Sequence, residues 1–366
     1  MSRYFKLSGF EPIIYRFKLN KWWFVKFSMG LISFTNKGIY CKQGDFYIDP
    51  WRPVDYAVTT HGHSDHVKAG NAHYLCHTLT KPILHRRIGE DLKIETLDYG
   101  QSITRNGVRI SFHPAGHIIG SAQIRLEYKG EICVVSGDYK TEYDGISTPF
   151  EPVKCHTFVT ESTFGLPVYK WQPQEIVMAE ILRWARENIS KGKSTVLVAY
   201  SLGKAQRLLN ALAGAHPVYV HSSIANLNDA LRQAGVTIPE ATRISPETTK
   251  DMLQQGIMIV PPVMRTSRWI KTLISPVTGV CSGWMQVRSH RRWQSADAGF
   301  ALSDHADWPG LLSAIRETGA ETVYVTHGFT AAFSRFLNES GIYSEEVRTQ
   351  YGAEEDEDAI TTETPS

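Results

Sequence analysis

Six consecutive residues, His61-Gly62-His63-Ser64-Asp65-His66, carry three imidazoles and a carboxylate. Such a donor set matches the nitrogen and oxygen preference of zinc. The six follow residues 56–60, an apolar run that reads as a strand. At a strand end the chain turns, so His61 and His63 can point into one pocket while Asp65 and His66 reach a second point nearby. A polar loop rich in histidine is the bland alternative, yet the chain has only 14 histidines in 366 residues, and three in six is a poor fit to chance. Three further positions supply what a two-metal site would lack. His117 lies in a glycine-flanked loop after a strand, Asp138 ends the run 132–138, where a carboxylate can bridge two metals, and His327 ends the run 323–328. Each alone reads as a cap or a satisfied core residue. Their recurrence at strand ends predicts a metal centre.

The elements that must position these residues change character along the chain. Residues 45–48, 56–60, 108–113, 122–128, 132–136 and 157–160 are short, apolar or alternating, and bounded by turn residues, which predicts strands. From 173 onward helical periodicity at 174–188, 204–212 and 226–234 alternates with strand-like runs at 195–199 and 218–221. Such alternation predicts βαβ units on a parallel sheet. A helix at 308–318 and a strand at 322–326 close the pattern.

With 42% hydrophobic and 21% charged residues the chain is an ordinary globular one, and its length predicts two packed domains or one domain with an insertion. Five widely spaced cysteines with no C-x-x-C make neither a disulfide framework nor a zinc knuckle, which predicts a reducing, cytoplasmic setting. The net charge of +2 hides a basic start and an acidic end. Residues 1–30 read as an extension, and translation from Met29 is one expectation for them. Its apolar run, interrupted by Lys26, is too short for the ~20 residues of a membrane span, so no membrane partner is expected. Residues 351–366 are acidic, without aromatics from Gly352 on, and are expected to be disordered.

A second signal bears on substrate. Residues 262–296 hold Arg265, Arg268, Lys271, Arg288, Arg291 and Arg292, no acids, and Trp269, Trp284 and Trp293. Basic groups interleaved with aromatics suit phosphate contacts and base stacking on a single strand, while tryptophans anchoring a solvated basic loop are the plain alternative. Lys204, in a loop opening a helix, is a further candidate phosphate contact or a mere connection. His73, His77, His85, His113, His156, His216 and His221 have no partner pattern and read as structural.

H-x-H-x-D-H, then His117, then Asp138, resembles the metallo-β-lactamase superfamily. Glu161 in TESTFG, His305 in LSDHA and His327 are similar to the further motifs of its β-CASP nucleic-acid-processing branch, which includes the cleavage-and-polyadenylation endonuclease, ribonuclease J and Artemis-like nucleases. GDFYIDPWRP at 44–53, STFGLPVYKW at 162–171, SGWM at 282–285 and GFALSDHADW at 299–308 resemble the bacterial DNA-ligase-associated exonucleases, also called mRNA 3′-end processing factors. The resemblance covers about residues 31–352. It implies an α/β chain, a metallo-β-lactamase αβ/βα sandwich (31–172 and 298–350) with an inserted β-CASP α/β cap (173–297).

The resemblance further implies two Zn2+ ions, with Mn2+ as the alternative. His61, His63, His117 and Asp138 would hold one, and Asp65, His66, Asp138 and His327 the other. A hydroxide between the metals would attack phosphorus, His305 would act as general acid oriented by Glu161, and Asp49 would hold a ligand histidine. For Glu161 and Asp49, capping of a following helix stands as the alternative. The implied activity is a DNA exonuclease in repair, acting on single-stranded or end-containing DNA beside an ATP-dependent DNA ligase and a helicase. RNA processing is the competing reading, which His327 favours because RNA-acting members keep that histidine. A small-molecule hydrolase needs no insertion such as that between Glu161 and about residue 300. A metal-free scaffold would not fill every ligand position.

Overall fold

The computed structural model describes residues 30–287 and 296–347. The expected extension to residue 29, the acidic tail at 351–366, Arg288, Arg291, Arg292 and Trp293 lie outside the described residues. The chain begins with β1 (Ser33–Thr35), β2 (Gly38–Cys41), β3 (Phe46–Ile48), β4 (Tyr56–Val58), β5 (His73–His77), α1 (Lys81–Ile88) and β6 (Ile94–Leu97), whose strands form one sheet in chain order. A second sheet starts with β7 (Ser102–Arg105), β8 (Val108–Pro114), β9 (Ala122–Tyr128), β10 (Glu131–Val135) and β11 (Thr157–Ser162).

There follow α2 (Gln174–Ser190), β12 (Thr195–Val198), α3 (Lys204–Leu212), β13 (Val218–Val220), α4 (Ser222–Gln233) and β14 (Thr242–Arg243). Then come α5 (Lys250–Gln254), β15 (Ile257–Val260), α6 (Arg268–Lys271), β16 (Val277–Cys281) and β17 (Ala298–Phe300). These strands make a third sheet, parallel throughout, in the order β14-β13-β15-β12-β16-β17. The chain returns through α7 (Trp308–Thr318), β18 (Thr322–Gly328), α8 (Thr330–Glu339) and β19 (Ser344–Glu346), so the second sheet reads β19-β18-β11-β10-β9-β8-β7.

The first two sheets stack face to face. Phe46, Ile48, Val58 and Leu75 meet Val108, Ile110, Phe112 and Ile124 in one core. The outer face of the second sheet packs under α7 and α8 through Phe158, Val323, Leu311, Ile315 and Phe333, and that of the first under α1 through Tyr74, Cys76 and Leu84. The layers therefore run helix, sheet, sheet, helix. In the third sheet β12 and β15 are buried at every residue, as parallel strands covered on both faces must be. Its core reaches α1 through Ile83, the β8–β9 turn through Ile118 and Ile119, and the β17–α7 loop through Leu302. All five cysteines are buried free thiols.

The runs expected at 122–128, 204–212 and 308–318 are β9, α3 and α7 to the residue. For α7 the reason is local: the Asp307 carboxylate accepts the Gly310 N–H at 2.9 Å, Pro309 sits in the first turn, and Gly319 closes the helix at φ +65°. The helix expected at 226–234 starts earlier, at Ser222, because the His221 imidazole accepts the Ser223 N–H and caps it. β17 pairs with β16, so the third sheet extends to Phe300.

Candidate active site

Val135, Val159 and Tyr324 stand in register across β10, β11 and β18, so Asp138, Glu161 and His327 fall at one edge of the second sheet. The segment carrying His61, His63, Asp65 and His66 leaves β4 beside that edge and is tied to it by the Ala122 N–H on the Thr60 carbonyl at 2.8 Å. The β8–β9 turn brings in His117. Two of these strand ends use backbone that side-chain-bearing residues seldom adopt, Asp49 at φ +43° and His327 at φ +50°, the kind of outlier that accumulates at functional sites.

His61, His63, His117 and Asp138 converge so that one donor atom from each lies within 4.8 Å of the others. Carbonyl oxygens only accept hydrogen bonds, which settles the tautomers. His63 Nε2–H faces the Leu202 carbonyl at 3.2 Å, and His117 Nδ1–H donates to the Asp304 carbonyl at 2.8 Å. His61 Nδ1 faces the Thr60 hydroxyl at 3.1 Å, whose own proton goes to Asp49. The opposite nitrogens are then bare lone pairs: His63 Nδ1 sits 3.2 Å from His61 Nε2 and 3.0 Å from His117 Nε2. Protonation does not relieve this crowding. Burial, and then repulsion from the neighbouring imidazoles, holds His61 well below the usual histidine range and His63 at about 3; His117 is lowered by burial and by His305. Neutral imidazoles with converging lone pairs beside a carboxylate are the donor set of a cation.

A second cluster joins Asp65, His66 and the same Asp138. His66 Nδ1–H donates to Asp49 at 2.8 Å, and its buried Nε2, which has no hydrogen-bond partner among the described residues, lies 3.3 Å from Asp138 Oδ2 and 3.5 Å from Asp65 Oδ2. Burial alone would lower the His66 pKa. The charges of Asp138 and Asp65, with the Asp49 hydrogen bond, outweigh it and hold it well above the ordinary value. This pair of carboxylates thus calls for positive charge. His327 stacks on His66, ring centroids 5.3 Å apart, one ring outside the tight cluster. Asp49 spans the arrangement by also accepting the Thr60 N–H at 2.8 Å. Thr60 was not among the expected site residues; its only sequence mark is its place at the strand end before His61.

Gly137 turns the chain into Asp138 at φ +58°, and a Cβ there would stand 2.6 Å from Thr60 Cβ. Gly137→Ala is therefore expected to cost about 1–3 kcal/mol through strain and overpacking. Thermal melting checks this, and an unchanged Tm would contradict the close approach.

His305 lies beside the clusters, its ring 4.6 Å from that of His117. Its Nδ1–H donates to Glu161 Oε2 at 2.8 Å, while Glu161 Oε1 accepts the Tyr139 N–H at 2.7 Å. Burial pulls the His305 pKa down, but the Glu161 charge and hydrogen bond, with Asp138 behind them, raise it above the ordinary value. The Trp171 indole N–H holds the His305 carbonyl at 2.9 Å.

The basic candidates fare differently. Arg265 shares a cavity of about 20 Å³ with Tyr200 and Ser282, and Tyr200 lies 6.4 Å from the His63 ring. Arg268 is exposed at the start of α6. Trp269 and Trp284 pack against the core of the third sheet rather than standing open for stacking. Lys204, for which the sequence leaves a phosphate contact and a mere connection both open, is buried, its ammonium 3.2 Å from the fully buried Asp304. The physical reason is that Asp304, a residue the sequence reading passed over, needs a buried counter-charge.

Over 326 residues, 87% of its length, the chain is 32% identical to a protein of Opitutus terrae named probable DNA ligase, covering 30% of that protein. It is 29% identical over 119 residues to the endoribonuclease YSH1 of Saccharomyces cerevisiae, 32% of this chain and 15% of that one. The cleavage and polyadenylation specificity factor subunit 3 of Dictyostelium discoideum matches 29% over 121 residues, again 32% of this chain and 15% of the relative. The chain thus spans less than a third of the length of these curated relatives. A crystal structure of a protein of unknown function from Enterococcus faecalis shares the fold, with a TM-score of 0.56, 12% identity and coverage of 81% of this chain and 80% of that one. No protein-family model matches the chain.

Proposed function

The chain belongs to the β-CASP nucleases of the metallo-β-lactamase fold, and from that premise we propose that it is a two-metal phosphodiesterase that degrades DNA from an end in repair. The observation that carries the reading is the convergence of three deprotonated imidazole nitrogens on Asp138, with the His305–Glu161 pair beside them. In this reading the four layers are the αβ/βα sandwich and the third sheet with its helices is the β-CASP cap. His61, His63, His117 and Asp138 would hold one Zn2+ or Mn2+, and Asp65, His66, Asp138 and His327 the other. Bound there, two cations supply an acidified water and neutralise charge on the phosphoryl oxygens.

The chain's own groups do the rest. Asp65, the most open carboxylate of the clusters with 31% of its side chain exposed, takes the proton of the attacking water. As the P–O3′ bond breaks, His305 gives its proton to the departing oxygen. Glu161 keeps the His305 ring turned and charged, and Asp49 with Thr60 fixes His66 and His61. Arg265 and Arg268, with Arg288, Arg291 and Arg292, are proposed backbone contacts. Similarity to a longer, ligase-named protein supports an ATP-dependent DNA ligase, and with it a helicase, as pathway partners. Buried free thiols support a cytoplasmic location, and no helix among the described residues is long and apolar enough to cross a membrane.

Similarity to endoribonucleases favours a second reading, internal cleavage of RNA on the same residues. End-labelled single-stranded DNA and RNA of one sequence, digested side by side with zinc or manganese, separate the two. Stepwise shortening of DNA, absent in Asp138→Ala, is the expected result and would give the polarity. Internal cuts in RNA with DNA untouched would replace the first reading by the second.

A further inference from the structure

Two histidines of the first cluster take their orientation from outside the two stacked sheets. The Leu202 carbonyl that faces His63 Nε2 belongs to the loop between β12 and α3, and the Asp304 carbonyl that receives His117 Nδ1–H belongs to the loop between β17 and α7. A buried ion cluster clamps these loops together. The Asp304 carboxylate pairs with the Arg207 guanidinium and with Lys204 Nζ, both from the first turn of α3, and none of the three side chains is more than 3% exposed. Arg207 also donates to the Ser303 carbonyl at 2.6 Å and to Gln174 Oε1 at 2.6 Å. The approach is close enough to require a glycine: at Gly203, φ +93°, a Cβ would stand 2.9 Å from Asp304 Oδ2 and 2.6 Å from Ile118 Cγ2.

Three charges taken out of water are a poor way to gain stability, since apolar residues of similar volume do as well or better. They do fix geometry. Two charges from one loop's helix and one from the other leave little freedom for either carbonyl to swing away from its imidazole. Without those carbonyls His63 and His117 could each turn a protonated nitrogen toward Asp138.

We propose that Asp304, with Lys204 and Arg207, is a positioning device that orients His63 and His117 for metal through the Leu202 and Asp304 carbonyls. The proposal rests on the reading of those histidines as ligands. It assigns Lys204 to the clamp and away from nucleic acid, and it makes the third-sheet segment part of the metal site.

The test is zinc affinity measured without nucleic acid, by competition with a chromophoric chelator, on the full chain and on D304N, K204M, K204R and K204M/D304N. D304N and K204M are each expected to weaken the tighter site by about 10–100-fold, the usual loss for a partner that orients a ligand. The double variant should lose little beyond D304N, because the charges act as a unit, and K204R, which keeps the charge, should bind zinc as the wild type does. For K204M the KM for an oligonucleotide and its salt dependence should barely move. K204M with unaltered zinc affinity but a raised KM and a shallower salt slope would make Lys204 a phosphate contact and overturn the proposal. So would a folded D304N that binds zinc normally; should D304N fail to fold, the K204M and K204R pair decides. Wild-type protein that takes up no zinc would defeat the functional reading as well, whereas a zinc-binding wild type with unaffected variants defeats this inference alone.

Discussion

Asp138→Ala is expected to release both metal ions and to lower nuclease activity by roughly 10⁴-fold or more, about 5.4 kcal/mol at 1.36 kcal/mol per decade. The size follows from position. One carboxylate oxygen, Oδ2, lies 3.6 Å from His61 Nε2, 3.3 Å from His66 Nε2 and 3.8 Å from His117 Nε2, so the two clusters share it. Losing a terminal ligand weakens one site, whereas losing a shared one removes the charge that balances both. Metal content by mass spectrometry and digestion of labelled oligonucleotide are measured on the same preparation. Asp144 provides the control: it is as deeply buried, but its carboxylate is taken up by the Ile146 and Ser147 N–H groups and the Ser147 hydroxyl. Asp144→Asn should cost stability and leave the metal content unchanged. An Asp138→Ala protein that keeps its metals and its rate would refute the site.

His305→Gln should behave differently, keeping both metals and slowing cleavage by ~10²–10⁴-fold, the range of a lost general acid. Its Nδ1–H is committed to Glu161, whose charge and hydrogen bond raise the ring's pKa above the ordinary histidine value and so favour the proton-donating form. A phosphodiester with a nitrophenolate leaving group needs no proton at that step, so the variant should hydrolyse it at nearly the wild-type rate. Glu161→Gln makes the same point through pH. With His305 as the proposed general acid the active form would be protonated, so activity should fall as pH rises past its raised pKa; without the Glu161 charge that alkaline limb should move to lower pH. Loss of zinc from His305→Gln, or an equal deficit on both substrates, would show that His305 is a ligand or a structural residue instead.

Which residues can do chemistry was legible in the sequence, because that depends on residue type and on position along a strand. Glu161 and His305 were singled out only by resemblance to a family's motifs; H-x-H-x-D-H after an apolar run, and His117, Asp138 and His327 at other strand ends, were singled out by type and position. The same holds for α7, whose Asp-Trp-Pro-Gly start and Gly319 end are local signals. Strands such as Ile257–Val260 are not legible in this way: buried on both faces, they carry no alternation to distinguish them from a helix.

What only the tertiary structure decided is what each group faces. Lys204 and Arg268 look alike as basic residues in a sequence, yet one is sealed against Asp304 and the other lies in solvent. Thr60, Asp304 and the Leu202 carbonyl have no compositional mark, because a hydroxyl, a counter-ion or a main-chain oxygen becomes part of a site only through what packs against it. The tautomers of His63 and His117 depend on carbonyls 139 and 187 residues away along the chain. Residue type set the available donors, and long-range packing chose which nitrogen of each imidazole is bare.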